Sequence, residues 1–372
     1  MDLFGDLPEP DHTKKQSSSS SLKQSPNLPV KTTVDQLDAG HRGEKRQIQA
    51  ETAADSNETK GKQQKKEVEE KTHSSIAYTL KGYVADRQGE REDMQDAHVI
   101  IDDFLPFVPG LHESVHRLAL YAVFDGHGGS RASRFASQHL HNNLRDKFPK
   151  GNIAQVEKEI KKVFIEAFKK TDEDFLKEAA RNKPSWKDGT TAVVVLAIND
   201  TLYIANLGDS KAILCRHREN ETYVGIPLTN DHSPSVYEER MRIQKAGGIV
   251  RDGRVMGVLE VARSIGDGPY KNHGVTCIPD IKRCQLTDND RYLMIACDGL
   301  WKSYSVDESI QFVNKILEDD TIVATGRRSA EDVKFDQVCS KLANAAVLRL
   351  SGDNVTVVLV SIHKKQTASE QS

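Results

Sequence analysis

Apolar residues along this chain follow two spacings. Residues 192–198 form an unbroken apolar run, Asn199-Asp200 supplies turn chemistry, and 202–207 forms a second run. Gly208-Asp209 follows, and then a short apolar stretch at 212–215. Short runs joined by two-residue polar turns predict an antiparallel meander. Residues 118–124, 292–297 and 355–362 predict further buried strands, because each is rich in β-branched or aromatic residues. In 132–148, 156–179, 237–246 and 306–317 the apolar groups recur every three or four positions, which predicts amphipathic helices. Gly247-Gly248 is a stop for the third of these. Hairpin-linked strands with helices grouped between them predict one α+β domain over 76–363, antiparallel sheets covered by helices. No Pro/Gly/Ser linker and no internal repeat divides it.

Outside that range the pattern fades. Residues 1–75 hold a serine run at 17–21, scattered Lys and Glu, and few large apolar groups. Such a segment cannot bury enough surface to offset its ordering entropy, so a disordered low-complexity tail is expected there, and a disordered end at 364–372. The lysine-rich stretch 60–66 has the composition of a nuclear-import signal. Acids follow at once at Glu67, Glu69 and Glu70, and a solvated mixed-charge linker is the plainer reading. Residues 1–10 interleave Leu and Phe with acids, and an unstructured start is favoured over a docking peptide.

Composition narrows the function. The 372 residues carry 52 Lys plus Arg against 55 Asp plus Glu, a net charge of -3, which argues against a general nucleic-acid binder. No run of about 18 apolar residues exists, so no membrane span is expected. The acidic opening lacks the basic-then-apolar order of a secretory signal. Five cysteines without paired spacing suit reduced thiols in the cytoplasm or nucleus rather than a disulfide scaffold.

Several aspartates stand at the ends of the apolar runs. Asp125 ends one, Asp298 ends another, Asp209 follows a third, Asp353 precedes the last, and Asp96 closes an acidic stretch. Singly, each reads as a turn residue, because Asp bonds its own backbone and stops strands. As a set they point elsewhere. Asp125 and Asp298 are followed by Gly, which admits a ligand close to the backbone and leaves a carbonyl free. Carboxylates gathered at adjacent strand ends repel one another unless cations lie between them. Hard oxygen donors without a His or Cys cluster select Mg²⁺ or Mn²⁺ over Zn²⁺. His127 lies between glycines two residues after Asp125, accessible and near neutral in pKa, a candidate general acid. Arg91 precedes Asp96 by five positions, and a guanidinium there has the geometry to grip phosphoryl oxygens; alone it reads as a surface charge.

Other chemistries fail on inspection. Cys277 and Arg283 match a C-x₅-R spacing, but the loop between them holds two Ile, an acid and a Pro instead of the small residues whose N–H groups cradle phosphate. There is neither a G-x-x-x-x-G-K-[ST] phosphate loop nor a G-x-S-x-G elbow.

Seven stretches then carry a resemblance: REDMQDAH at 91–98, FDGHGG at 124–129, DGTTA at 188–192, NLGDS at 206–210, RSIGD at 263–267, ACDG at 296–299 and GDNV at 352–355. In this order they resemble the metal-dependent serine/threonine protein phosphatases of the type 2C (PPM) class, across nearly all of 76–363. The resemblance implies a four-layer α-β-β-α sandwich with the metal site at one end, between the sheets. It implies that Asp125 bridges two Mg²⁺ or Mn²⁺ ions, that the Gly126 carbonyl binds the second, and that Asp298 and Asp353 hold the first. Asp96 would act through water, His127 as general acid and Arg91 as phosphate clamp. Asp209 would belong to a third, weaker site. The implied reaction is one-step hydrolysis of phosphoserine or phosphothreonine by a water that two ions activate. A closer likeness within the family, carried by MDLFGDLPEP, KGYVADRQGEREDMQDAHV and DGRVMGVLEVARSIGDG, implies a soluble, partly nuclear enzyme near integrin-linked kinase signalling. A monomer is expected.

Two positions depart from the family pattern. Many members carry an acid where Gln95 stands, and usually another where Lys302 stands. An ammonium repels a cation, so two well-held ions are expected and a third is not. Substrate choice is expected in surface loops such as 104–117 and 318–331. Two competing readings are a metal-dependent phosphodiesterase or nuclease, which wants a long basic track, and a metal-free scaffold that binds kinases through its tail.

Overall fold

A computed structural model describes residues 77–219 and 222–365. The expected disordered tail and C-terminal end lie almost wholly outside the described residues. In chain order the strands begin with β1 (Tyr78–Arg87), β2 (Ala97–Ile101), β3 (Leu118–Phe124) and β4 (Gly126–His127). Next come β5 (Gly189–Thr190), β6 (Ala192–Ile198), β7 (Thr201–Leu207), β8 (Lys211–His217) and β9 (Tyr223–Pro227). They end with β10 (Val250–Arg251), β11 (Arg254–Val255), β12 (Ile265–Gly266), β13 (Asp280–Gln285), β14 (Asp290–Ala296) and β15 (Val355–Lys364). The helices are α1 (Arg131–Lys147), α2 (Ile153–Arg181), α3 (Tyr237–Lys245), α4 (Gly268–Lys271), α5 (Asp298–Trp301), α6 (Val306–Leu317) and α7 (Ala330–Leu348).

Two five-stranded antiparallel sheets form the centre. One runs β1-β15-β14-β8-β9, the other β13-β7-β6-β3-β2. Alternation along each strand assigns its two faces. In β3, Leu118, Leu120 and Ala122 join Leu140, Leu144, Phe164 and Phe168 of α1 and α2 in one core. Ala119, Tyr121 and Val123 point the other way, into a core shared with Leu214, Leu293, Ile295 and Val358 of the opposite sheet. The outer face of that sheet, with Tyr292, Met294, Val357 and Leu359, packs on Ile310, Val313, Phe335 and Leu342 of α6 and α7. The order is therefore helix, sheet, sheet, helix, as expected. It also explains the apolar runs: β3, β6 and β7 are buried on both faces, so nearly every position is apolar, and the buried Asn206 of β7 donates to the Asn230 carbonyl.

Residues 237–275 have a small core of their own, made of Ile243, Val255, Leu259, Val261, Ala262 and Val275. Among the described residues no helix is long and apolar enough to cross a membrane. All five cysteines are free.

Candidate active site

Five separate segments deliver an acid to one end of the sandwich. β3 ends at Phe124 and hands over Asp125; the turn before β8 carries Asp209; β14 ends at Ala296, and Asp298 opens α5. Asp353 precedes β15 and Asp96 precedes β2. Carboxylate oxygens of Asp125, Asp209 and Asp298 lie within 4.8 Å of one another, and Asp125 belongs to a second such group with Asp96 and the Cys297 thiol. Asp353 is joined to Asp298 by Lys302, whose Nζ lies 2.7 Å from both carboxylates. Arg91 Nη2 donates to Asp353 Oδ2 at 3.0 Å. Each acid singled out in the sequence is in this cluster.

The backbone around Asp125 is over-determined. Its carbonyl accepts from Thr191 N at 2.9 Å and from Thr190 Oγ1 at 2.9 Å. Gly126 lies against the Gln95 carbonyl, where an added Cβ would stand 2.1 Å from the oxygen. Asn354 ties the segment before β2 to that before β15, accepting from Gln95 N at 2.8 Å and donating to the Gln88 and Asp93 carbonyls. Asp96 Oδ2 accepts from Thr356 Oγ1 at 2.7 Å.

Asp125, Asp209, Asp298 and Asp353 line a cavity of about 460 Å³, together with Arg91, His127, Lys187, Asp267 and Lys302. Burial, and then the neighbouring carboxylates, push Asp125 well above the usual carboxylate range. Burial raises Asp96 to about 6 and Asp209 to about 7. Buried carboxylates with raised pKa values lack counter-charge, and all-oxygen donors of this kind fit hard divalent cations. The Cys297 thiol does not join the donor set, because burial holds it well above its ordinary pKa and so protonated. Cys277 is no nucleophile either: burial pushes its thiol up to about 12.

His127 sits on β4, which pairs with β5, which pairs with β12. This ribbon brings Asp267, just past β12, to His127: Nε2 and Asp267 Oδ2 are 2.7 Å apart. Burial opposes the imidazolium, but the Asp267 charge and hydrogen bond outweigh it and the His127 pKa is raised. In the sequence Asp267 is only the last residue of RSIGD, with nothing beside it to signal a role. Neither loop expected to choose substrates, 104–117 or 318–331, supplies a residue to the cavity wall; Val258, Leu259, Glu260, Val261, Pro269 and Tyr270 do.

The family model described as Protein phosphatase 2C matches residues 81–355. The chain belongs to the protein phosphatase 2C family. It is 50% identical over 97% of its length to the integrin-linked kinase-associated serine/threonine phosphatase 2C of Bos taurus, covering 100% of that protein. The Homo sapiens protein of the same name is 48% identical over 97% of this chain and 100% of its own length. A solved serine-threonine phosphatase 2C from Toxoplasma gondii shares the fold, with a TM-score of 0.61 at 19% identity, over 76% of this chain and 95% of that one. As a protein phosphatase 2C, the chain is a metal-dependent protein serine/threonine phosphatase. The diesterase and scaffold readings are set aside.

Proposed function

We propose that this phosphatase hydrolyses phosphoserine and phosphothreonine in proteins with two Mg²⁺ or Mn²⁺ ions. Asp125, Gly126, Asp298 and Asp353 would hold them directly, and Asp96 at one remove. The observation that carries the reading is the convergence of Asp96, Asp209 and Asp298, each from a separate segment, on Asp125, beside a cavity that Arg91 and His127 also line. Bound there, hard divalent ions lower the pKa of water and offset charge on the phosphoryl group.

The chain's own residues do the rest. Arg91 grips the equatorial phosphoryl oxygens and aligns phosphorus for in-line attack. Water oxygen bonds to phosphorus and gives a proton to solvent. The bond from phosphorus to the serine or threonine oxygen breaks, and that oxygen takes a proton from His127. His127 recovers its proton from solvent, so one water and one phosphoester yield phosphate and a free hydroxyl. An alkoxide is a poor leaving group, so this proton is worth about 10²–10⁴-fold.

The near full-length likeness to relatives named for integrin-linked kinase supports placing this enzyme near that kinase's signalling. A cytoplasmic location with a nuclear fraction is part of the same proposal, tested by imaging the tagged full chain. The chemical test is phosphate release from a phosphothreonine peptide. Mn²⁺-dependent release that EDTA and Asp125→Asn abolish is the expected result. Equal release after chelation would overturn it.

A further inference from the structure

The proposed reaction leaves one buried charge at the cavity without a task. Asp267 is 2% exposed, yet it lines the same cavity as His127. Burying a carboxylate is costly unless it is paired. Among the described residues the Asp267 carboxylate has one hydrogen-bond partner, His127 Nε2 at 2.7 Å.

The surrounding backbone is shaped to allow that bond. β4, β5 and β12 are each two residues long, and both His127 and Gly266 pair with Gly189 on the middle strand. The imidazole and the carboxylate meet across Gly189. A Cβ on Gly189 would lie 2.2 Å from Asp267 Oδ2 and 2.3 Å from His127 Nε2. Only glycine leaves room. Asp267 itself has φ 52° and ψ 42°, a left-handed conformation that non-glycine residues rarely adopt. It is held there by its N–H, which donates to the Asp188 carbonyl at 3.0 Å, and by its own carbonyl, which accepts from Tyr270 N at 2.9 Å. Backbone strain of this kind clusters at functional sites.

A carboxylate only accepts, so the proton in the bond belongs to Nε2. Nδ1 has no protein partner among the described residues and is the nitrogen left to face a substrate. The His127 side chain is 30% exposed, so the histidine stands in front and the aspartate behind it.

We propose that Asp267 is the positioning residue for His127: it fixes the rotation of the ring and keeps one proton on Nε2, so that the imidazolium gives its second proton, on Nδ1, to the leaving oxygen. This rests on His127 being the general acid. Asp267 touches no reacting atom; it acts through the imidazole.

The test uses the full chain at saturating Mn²⁺ and two substrates, a phosphothreonine peptide and p-nitrophenyl phosphate. The aryl oxide leaves without help, so loss of the acid falls mainly on the peptide. His127→Ala is measured first. Equal losses on both substrates would remove the general-acid reading itself. With that difference established, Asp267→Asn and Asp267→Ala are each expected to lower kcat on the peptide at least about tenfold more than kcat on the aryl ester, with peptide KM within about twofold. Adding Asp267→Ala to His127→Ala is expected to cost nothing further, because both changes remove one function. Equal losses on the two substrates from Asp267 variants, or losses that multiply in the double variant, would overturn the proposal alone. A second readout needs no folded variant of Asp267. The ¹⁵N spectrum of the unaltered protein, with His127 assigned by its absence in His127→Ala, is expected to show Nε2 protonated in both the acid form, where Nδ1 is protonated too, and the neutral form. A proton on Nδ1 only would also overturn it.

Discussion

Lys302 Nζ lies 2.7 Å from Asp353 Oδ2. The same ammonium lies 2.7 Å from Asp298 Oδ2, so one lysine links two of the carboxylates proposed to hold a metal. Its pKa is raised: burial works against the charge, but the two carboxylates outweigh it. A divalent ion entering here competes with a cation already in place. Replacing Lys302 by Met keeps the stem and removes the charge. Calorimetric titration of the purified chain with Mn²⁺ is expected to show affinity higher by on the order of tenfold, equivalent to about 1.4 kcal/mol. Unchanged or weaker binding would show that the ammonium does not oppose the metal.

Asp125→Asn separates stability from activity. The native carboxylate is crowded by Asp96, Asp298 and Asp209 and held at a raised pKa by burial first and by these neighbours second. The amide removes one charge from the cluster without changing its volume. In EDTA the variant is expected to melt a few degrees higher than the unaltered chain, while its Mn²⁺-dependent peptide turnover falls by more than about 100-fold. A lower melting temperature in EDTA would contradict the electrostatic account.

Gly126→Ala tests the close approach beneath the site. The new Cβ would meet the Gln95 carbonyl at 2.1 Å and Ser133 Oγ at 2.9 Å. The carbonyl is main chain, so β4 and the segment before β2 must separate. The expected cost is about 1–3 kcal/mol of stability. Metal affinity is expected to drop as well, since the Gly126 carbonyl is displaced. Denaturant melts and Mn²⁺ titration read the two effects independently.

Glu239 supplies a pH dependence outside the aspartate cluster. It is buried on α3 and takes hydrogen bonds from Arg263 and an ion pair from Arg242 Nη1 at 2.6 Å. Burial raises its pKa, but the two guanidinium groups prevail and the net shift is downward. A carboxyl whose folded pKa lies below its unfolded value of about 4.3 stabilises fully above that value, and the contribution fades as pH falls through the folded pKa. Glu239→Gln is therefore expected to lose about 3–5 kcal/mol at pH 6, and the gap is expected to close only as pH falls from the unfolded value through the lowered folded pKa. A gap that stays constant with pH would point to packing instead of charge.

The parts of the fold that were legible in the sequence are those whose burial is extreme. β3, β6, β7 and β14 show as apolar runs because sheets and helices cover both faces. α1, α2, α3 and α6 show as three-four spacing because each buries one face. β1 mixes Lys81, Gly82 and Asp86 among its apolar residues and could not be read, since its identity as a strand comes from pairing with β15 along its whole length. β13 is an edge strand rich in charge, and α7 follows a polar loop that hid its start. The acids were visible because each stands beside an apolar run or closes an acidic stretch, two of them, Asp125 and Asp298, with a glycine next to them. Asp267 was not visible: its contact with His127 depends on three two-residue strands, too short to leave a period.

β1 and β15 stand at opposite ends of the domain yet pair residue for residue, Tyr78 with Lys364 and Arg87 with Val355. During synthesis, at about 5–20 residues per second, roughly 15–60 s separate the two strands. Throughout that interval β1 has no partner, and β14, once made, lacks one of its two. The nascent chain thus carries two open β edges until its last strand emerges, which makes the ribosome-bound form the one most exposed to aggregation and most in need of a chaperone.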